Sequence, residues 1–454
     1  MGRKHGNVWT IVFLSGLCSF SAFTQEKTRL SLKLGLTERI RNEFYNNITD
    51  MNMNNDDRTD YFRIRTSVWA QAAYAPYATA YVKLTNEFRK YLSDPKKRDF
   101  TWDEIIFDNL YLKLETPNKF AALTVGRQNL MYGEGFILME GAPWDGSRTI
   151  YHDAVKLSLT RGKTTVDLLG IDNTRIDDRL PVIRGSDLKD GKLKAQTKDQ
   201  WMNDGEEKAF GLYATTTALA KSKVEAYFIR KMENPNPWRP SKSILPDELK
   251  ELQLNTFGAR INYGFTPRLS LTTEWAYQNG TQGAIKHTAT GGYGYLTYVV
   301  EPQTKAAFSA GVIALSGDDP KTPDNEGWNP LFSRWPKWSE LYIYAYLNEV
   351  IRNSSRVAYS TNMLSPYLSY TVQFTSRLSM IANYYLLTAF QSRILADGSI
   401  SGKNRGHEVQ CWLKYTYNKN LSGHLLLDKL FSGDFYAMPR TSGSFIRGEI
   451  MISI

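Results

Sequence analysis

Residues 30–41 read LSLKLGLTERIR, a run in which apolar and polar side chains alternate. One face carries four leucines and the other carries polar and basic side chains: Leu30, Leu32, Leu34 and Leu36 against Ser31, Lys33, Thr37, Arg39 and Arg41. A period of two residues predicts a β-strand, because successive side chains of a strand point to opposite faces. The run therefore predicts a strand with one apolar face and one polar face.

The same alternation recurs along the chain up to its last residues. It is found in residues 62–71, 80–88, 269–275, 408–417 and 446–454. After residue 24, no stretch approaches the roughly 20 apolar residues that a membrane-spanning helix needs. A soluble β-sandwich with one buried face would alternate in the same way, so the connections between strands have to separate the two interpretations.

Short and long connections alternate strictly along the chain. Eight short turns lie near residues 75–77, 116–118, 161–163, 218–222, 264–267, 301–304, 374–376 and 418–420. Nine long polar connections lie at 46–59, 92–103, 130–152, 173–206, 232–253, 279–291, 317–362, 389–404 and 431–443, with the alternating segment 338–347 assigned to a loop. The predicted fold is all-β, a single transmembrane antiparallel β-barrel of about 18 strands with long outer loops and short periplasmic turns.

The first 24 residues are expected to be a signal peptide, which leaves residues 25–454 as the barrel. A positive start at residues 3–5 precedes an apolar run over residues 8–23, and small residues stand at the cleavage-determining positions of Ala22-Phe23-Thr24. A lipoprotein is the alternative, but it would need a small residue before Cys18, where Leu17 stands. Export across the inner membrane is therefore predicted.

The composition excludes several classes of protein. With 27 Tyr, 21 Phe and 11 Trp among 454 residues, the chain is too aromatic to be disordered. Its two cysteines, Cys18 and Cys411, exclude a disulfide scaffold. The net charge of +10 comes from basic residues dispersed along strands rather than massed in a patch, so we expect no nucleic-acid binding.

Enzyme chemistry has little support in the sequence. Residues 25–454 contain four histidines and no nucleophile elbow, zinc-binding spacing or phosphate loop: His152, His287, His407 and His424. We expect no enzymatic activity, no cofactor and no metal. Two alternatives stay open, a surface hydrolase that uses His287 and calcium binding by the acidic residues of 318–326, for which a solvated loop is the simpler interpretation.

An 18-strand barrel is wide enough for an aqueous lumen, so the inward-facing residues decide its function. Alternation directs six basic side chains of the first four strands inward, together with three carboxylates: Arg39, Arg41, Arg63, Arg65, Lys83 and Lys113 with Glu43, Glu87 and Asp108. A one-sided band of guanidinium groups attracts anions and binds carboxylates bidentately. The alternative is an Arg–Glu ladder whose members neutralise one another.

A first conspicuous motif is Gly126-Arg127-Gln128, which ends a strand and runs into a Gly-rich connection with Trp144 and Arg148. The composition of this connection suits a loop folded back into the lumen. Two further motifs follow, at Gly317-Asp318 and at Gly406-His407-Glu408 with Gly433-Asp434 downstream. In this order the motifs resemble the alginate export family of outer-membrane barrels, with His407 standing where the family usually has Gln.

The resemblance implies a monomeric barrel in the outer membrane of a Gram-negative bacterium, with an electropositive constriction that passes an anionic polyuronate. It implies a constriction role for Arg127 through the matching motif and for Arg148, Arg39 and Arg41 through their positions. The full set of predicted solute-binding residues is Arg127, Arg148, Arg39, Arg41, Arg63, Arg65, Lys83 and Glu87. Expected partners are an anionic oligo- or polysaccharide, outer-membrane lipid and lipopolysaccharide, and the barrel-assembly machinery.

Two other functions remain open from the sequence. A general nutrient porin would use the same barrel with a neutralised inner wall. A barrel scaffold would instead carry an enzymatic or adhesive role on its long surface loops. The resemblance favours an anion channel over both, although kinship of fold does not settle function.

Overall fold

The computed structural model describes residues 30–48, 51–55, 57–93, 104–139, 151–174, 179–181, 183–184, 205–235, 250–333, 338–341, 360–395 and 397–454. The expected signal peptide, Trp144 and Arg148 lie outside these residues. Eighteen long strands make up the structure: β1 (Leu30–Asn46), β2 (Thr59–Tyr74), β3 (Ala78–Ser93), β4 (Glu104–Glu115), β5 (Ala121–Gln128), β6 (His152–Arg161), β7 (Thr164–Asn173), β8 (Gly205–Thr216), β9 (Ser222–Pro235), β10 (Leu252–Gly264), β11 (Leu269–Gln282), β12 (Ile285–Glu301), β13 (Ala306–Leu315), β14 (Met363–Gln373), β15 (Leu378–Thr388), β16 (Asn404–Thr416), β17 (Leu421–Ser432) and β18 (Gly443–Ser453).

Each strand pairs antiparallel with the next, and β18 pairs with β1 to close a barrel. At this seam Thr37 lies opposite Ser453, and Asn46 lies opposite Ser444. Closure removes the unpaired edges that an open sheet would expose. The predicted antiparallel barrel of 18 strands is confirmed. The described residues contain no helix that is long and apolar enough to cross a membrane.

The eight short turns lie where the sequence predicts them, and they join β2 to β3, β4 to β5 and so on to β16 and β17. Eight of the nine long connections are also confirmed. The ninth, expected at 279–291, is wrong: β11 runs to Gln282 and β12 begins at Ile285, so a tight hairpin with Gly283 at φ 60° joins them. The polar residues there belong to paired strand ends, where the Asn255 amide donates to the Asn279 side-chain oxygen at 3.1 Å.

Alternation along the strands separates an apolar outer face from a polar interior. Leu30, Leu32 and Leu34 are 66–69% exposed on the outer face, whereas Arg39 and Arg41 on the inner face are 1% exposed. The outward apolar side chains continue around the barrel with, among others, Leu112, Val155, Leu212, Phe257, Phe308, Leu368 and Ile450. The inner face therefore holds the charged groups, which must be paired because burying an isolated charge is costly.

Candidate functional site in the barrel lumen

Five guanidinium groups converge on the inner wall where β18, β1 and β2 meet. They belong to Arg39, Arg41, Arg63, Arg65 and Arg447, and each is at most 3% exposed. Arg39 lies directly opposite Arg65, and Arg41 lies directly opposite Arg63. Like charges at opposing positions repel one another, so this basic wall needs carboxylates between its arginines.

Three strand-borne carboxylates fill that role. Glu87 on β3 accepts hydrogen bonds from Arg39 at 3.2 Å, from Arg63 at 2.8 Å and from Arg65 at 2.6 Å. Glu449 on β18 lies 2.6 Å from the Arg41 Nη2 atom, and Glu43 on β1 accepts from Arg41 at 3.2 Å. Five guanidinium groups thus share three carboxylates from the described strands.

A fourth carboxylate comes from a loop. Glu340, in the connection between β13 and β14, accepts a hydrogen bond from the Arg447 Nη2 atom at 2.8 Å and is 8% exposed. Sequence reasoning did not place this contact, because nothing in the alternation shows where a long loop lies. The sequence does indicate that Arg447 faces the lumen near β1. Arg447 lies on the polar face of the last strand, and barrel closure brings that strand beside β1.

The inward directions predicted for Arg39, Arg41, Arg63, Arg65 and Glu87 are confirmed by their burial. Lys83 and Asp108 also face each other, with the Lys83 Nζ atom 2.7 Å from the Asp108 carboxylate. A β-bulge on β4 makes this possible, because Lys83 pairs with Asn109 while Leu84 pairs with Phe107, and Asp108 is the extra residue. Lys113 lies farther toward the short-turn end and pairs with Glu115 at 2.8 Å.

Arg127 lies apart from the basic wall. Its guanidinium makes a bidentate pair with Asp153 on β6 at 2.9 and 3.1 Å, and it stacks on the Tyr151 ring at 3.6 Å from the ring centre. Asp153 shares a face of β6 with Val155, which is 46% exposed, while the intervening Ala154 is buried. Arg127 is 2% exposed and its guanidinium is engaged by Asp153 and Tyr151, so its contacts do not join it to the basic wall, and its solute-binding role stays a prediction.

Two loops meet inside the barrel. Leu138–Met139, from the connection between β5 and β6, pairs in parallel with Phe332–Ser333, from the connection between β13 and β14. The hydroxyl of Ser333 donates to the carbonyl of Gly135. Leu138 is fully buried and Phe332 is 3% exposed. The described part of the Gly-rich connection therefore folds inward, as its composition indicates.

The wall opposite the basic wall anchors these loops. Arg260 on β10 donates to Glu134 at 2.9 Å, and the Tyr295 hydroxyl on β12 donates to the same carboxylate at 2.7 Å. Lys231 on β9 donates to the carbonyl of Leu331 at 3.1 Å. Gln278 on β11 donates to the carbonyl of Asn329 at 2.7 Å. Both loops are thereby fixed to strands β9 to β12.

That anchoring wall is rich in tyrosines and glutamates. The rings of Tyr213 and Tyr227 stack with centroids 5.4 Å apart, and the Tyr227 hydroxyl donates to Glu274 at 3.2 Å. Glu207 and Glu233 lie 2.7 and 3.1 Å from the Lys231 Nζ atom. The lumen is therefore electrostatically asymmetric: arginines outnumber carboxylates on the basic wall, whereas carboxylates and phenols outnumber the cations Arg260 and Lys231 on the anchoring wall.

The histidines form no shared constellation among the described residues. His407 stacks on Phe431 of the neighbouring strand with centroids 4.7 Å apart, on the face opposite to the buried Glu408. The preceding Gly406 has φ 115°, and a Cβ atom there would lie 1.9 Å from the Phe431 carbonyl oxygen. The Gly-His-Glu motif is therefore a place of close strand approach, where the imidazole stacks outside the lumen.

Comparisons with known proteins agree with this architecture. A family model described as alginate export matches residues 30–444 of the chain. No curated protein matches the chain at a significant level. The family match covers β1 to β17 in full and reaches the first two residues of β18.

Solved porin structures share the fold at low sequence identity. The crystal structure of Pseudomonas aeruginosa OpdK with vanillate superposes on this chain with a TM-score of 0.57 at 11% sequence identity. The match covers 93% of this chain and 98% of OpdK. Pseudomonas aeruginosa OpdO is 12% identical with a TM-score of 0.56, covering 93% and 97%. Acinetobacter baumannii OccAB4 is 12% identical with a TM-score of 0.55, covering 93% and 98%.

A closed barrel with an apolar outer face and loops in its lumen, in a chain matched by an alginate export model, has the construction of an outer-membrane channel. The chain is an outer-membrane barrel of the Gram-negative type that serves solute transport. With a family model matching nearly its whole length, it belongs to the alginate export family.

Proposed function

We propose that this barrel conducts anionic saccharides, chiefly uronate-containing chains, along the basic wall of β18, β1 and β2. The observation that carries the proposal is the convergence of five guanidinium groups around three strand-borne carboxylates and the loop carboxylate of Glu340 on that wall: Arg39, Arg41, Arg63, Arg65 and Arg447. Guanidinium groups in a low-dielectric pore bind carboxylates in a planar, bidentate geometry. A uronate brings carboxylates of the kind that these guanidinium groups already bind in the wall.

The asymmetry of the lumen supports the same solute. A saccharide that bears carboxylates and hydroxyls has two kinds of group to satisfy. Its carboxylates would face the basic wall, and its hydroxyls would face the phenols and carboxylates of the anchoring wall, such as Tyr227 and Glu274. Charge separation across a narrow pore also raises the local concentration of ions of the matching sign.

A general carboxylate porin is the second candidate. Glu87 alone accepts hydrogen bonds from three arginines, so much of the positive charge is neutralised inside the protein. The structural neighbour OpdK was solved with vanillate, a small carboxylate. Such a pore would pass small organic anions and would have no preference for a sugar ring.

Conductance in planar bilayers tests the proposal. We expect an anion-selective reversal potential in a salt gradient, and partial block of the current by uronate oligomers. The R63Q/R65Q double variant should lose most of the selectivity, whereas R268Q, at an exposed short turn, should behave as the wild type. Neutral oligosaccharides of equal length should block far less.

The results would also separate the alternatives. Block by vanillate-sized carboxylates that equals block by uronate oligomers would favour the general porin. Cation selectivity would overturn the proposal. No current from correctly folded barrels would favour a surface scaffold instead.

A further inference from the structure

A group of side chains on β16, β17 and β18 lies beside the basic wall. Trp412 on β16 is partly exposed, and two cations approach its ring: the Arg447 Cζ atom at 5.1 Å and the Lys414 Nζ atom at 5.2 Å from the ring centre. Alternation places Trp412 and Lys414 on the inner face, together with the buried Gln410. An indole ring with two cations nearby, and with the His424 ring at a centroid distance of 5.0 Å, thus lies on the inner face.

The two cations differ in their partners. Among the described residues, Lys414 has no carboxylate within ion-pair distance. Arg447 is positioned by His424. The Arg447 Nε atom donates to the His424 Nε2 atom at 3.1 Å, and the His424 Nδ1 atom on the other side of the ring lies 3.4 Å from Glu449. This arrangement directs the Arg447 Nη2 atom at Glu340 of the loop.

Glu340 is a carboxylate tethered to the site by a short described segment, residues 338–341. The Trp338 carbonyl accepts a hydrogen bond from the Tyr385 hydroxyl at 3.1 Å, and Leu341 is fully buried. Glu340 thus places a carboxylate on the Arg447 guanidinium, where the carboxylate of a solute would also bind. The contact indicates that Arg447 binds carboxylates at this position.

We propose that Trp412, Lys414 and Arg447 form a uronate-binding subsite, in which the carboxylate of a hexuronate residue replaces Glu340 on Arg447. The apolar face of the pyranose ring then lies against the Trp412 indole, and Lys414 supplies the second positive charge. This assignment rests on the proposed function, because it requires anionic saccharides in the lumen. The subsite also couples solute binding to the loop, because a bound uronate breaks the ion pair between Glu340 of the loop and Arg447 of the wall.

Competition with Glu340 makes the subsite selective for long chains. Because Glu340 is tethered, its carboxylate competes with that of a free uronate at an effective concentration in roughly the millimolar range. A single uronate therefore displaces Glu340 poorly, whereas an oligomer with several carboxylates on the basic wall displaces it more readily. The subsite consequently favours chains over monomers.

Block of the single-channel current by a uronate trisaccharide is the test. E340Q keeps the size of the side chain and removes the competing charge, so the blocking constant should tighten by at least about fivefold. E206Q, at an exposed position of β8, is the matched control and should leave the constant unchanged. R447Q should weaken block about tenfold or more.

Trp412→Leu separates a sugar subsite from a simple anion site. It should weaken block by the trisaccharide and leave block by a ring-free dicarboxylate such as succinate unchanged. Circular dichroism of each variant confirms that the barrel is folded before the currents are compared.

The outcomes distinguish this inference from the proposed function. If the wild type is anion-selective and is blocked by uronates, but E340Q and Trp412→Leu leave the blocking constant unchanged, the subsite is overturned and the channel function stands. If uronates do not block the wild type, both fail.

Discussion

Trp328 stacks on Phe136 with ring centroids 5.1 Å apart and planes 11° apart, so connections from two distant parts of the chain are joined inside the barrel. The indole is 1% exposed because its other side rests on Gly291 of β12, where a Cβ atom would lie 2.4 Å from the ring. The glycine leaves room for the indole on the wall. This contact fixes the loops that narrow the lumen.

Truncation of that indole should loosen the loops. Trp328→Ala removes a buried aromatic side chain, a change that typically costs about 3–5 kcal/mol of packing free energy. We expect a higher single-channel conductance and more current noise in bilayers. Trp275→Ala is the control, because Trp275 is 46% exposed on the outer face. Equal conductance of Trp328→Ala and the wild type would mean that these loops do not limit the pore.

Removal of the carboxylate shared by three arginines should affect both stability and selectivity. In E87Q, Arg39, Arg63 and Arg65 lose their common charged partner, and breaking a buried ion pair typically costs about 3–5 kcal/mol. We expect a lower urea midpoint of unfolding together with a stronger anion preference in reversal-potential measurements. E115Q removes the partly exposed partner of Lys113 and should change neither quantity measurably. Unchanged selectivity of E87Q would show that the basic wall does not contact the permeating ions.

Arg127 should matter for stability rather than for transport. Arg127→Ala leaves Asp153 without its bidentate partner and Tyr151 without its stacked guanidinium, so we expect a stability loss of about 3–5 kcal/mol. Arg127→Lys keeps the charge but not the planar pairing and should recover part of that loss. Reversal potentials of both variants should equal that of the wild type. A clear loss of anion selectivity would instead support the constriction role that the family resemblance implies.

The anion preference should weaken as salt is added. The Debye length falls from about 10 Å at 0.1 M salt to about 3 Å at 1 M, so the excess positive charge acts over a shorter distance. We expect reversal potentials at a fixed tenfold gradient to move toward zero when both solutions are concentrated. Liposome-swelling rates with a neutral sugar should not change. A salt-independent preference would point to selection by size.

Much of the barrel follows from its sequence. A period of two residues, broken by short turns, suffices to place the strands and to direct Arg39, Arg63 and Glu87 inward, because strand geometry is local. The same rule gives no direction for Arg127, because the preceding Gly126 has φ 121° and interrupts the regular alternation of the strand.

The remaining errors and omissions have a common origin in contacts between distant segments. The polar segment 279–291 reads as a loop, but it is held in paired strands whose ends meet other polar groups. The contact of Glu340 with Arg447 depends on the path of a long loop, for which no periodicity exists. Contacts between segments that are far apart in the chain, such as Glu340 with Arg447, therefore cannot be predicted from the local sequence pattern.

The seam between the first and last strands has a consequence for assembly. Arg41 is contributed early in the chain, and its partner Glu449 comes from the final strand. Until that strand docks, a buried guanidinium lacks one of its carboxylates, and Arg447 lacks its place beside Glu43. A prematurely terminated chain would thus leave Arg41 with Glu43 but without Glu449, and would leave the backbone of β1 without its seam partner, which makes insertion of incomplete barrels unfavourable. The ion pairs of the seam therefore couple completion of the polypeptide to closure in the membrane.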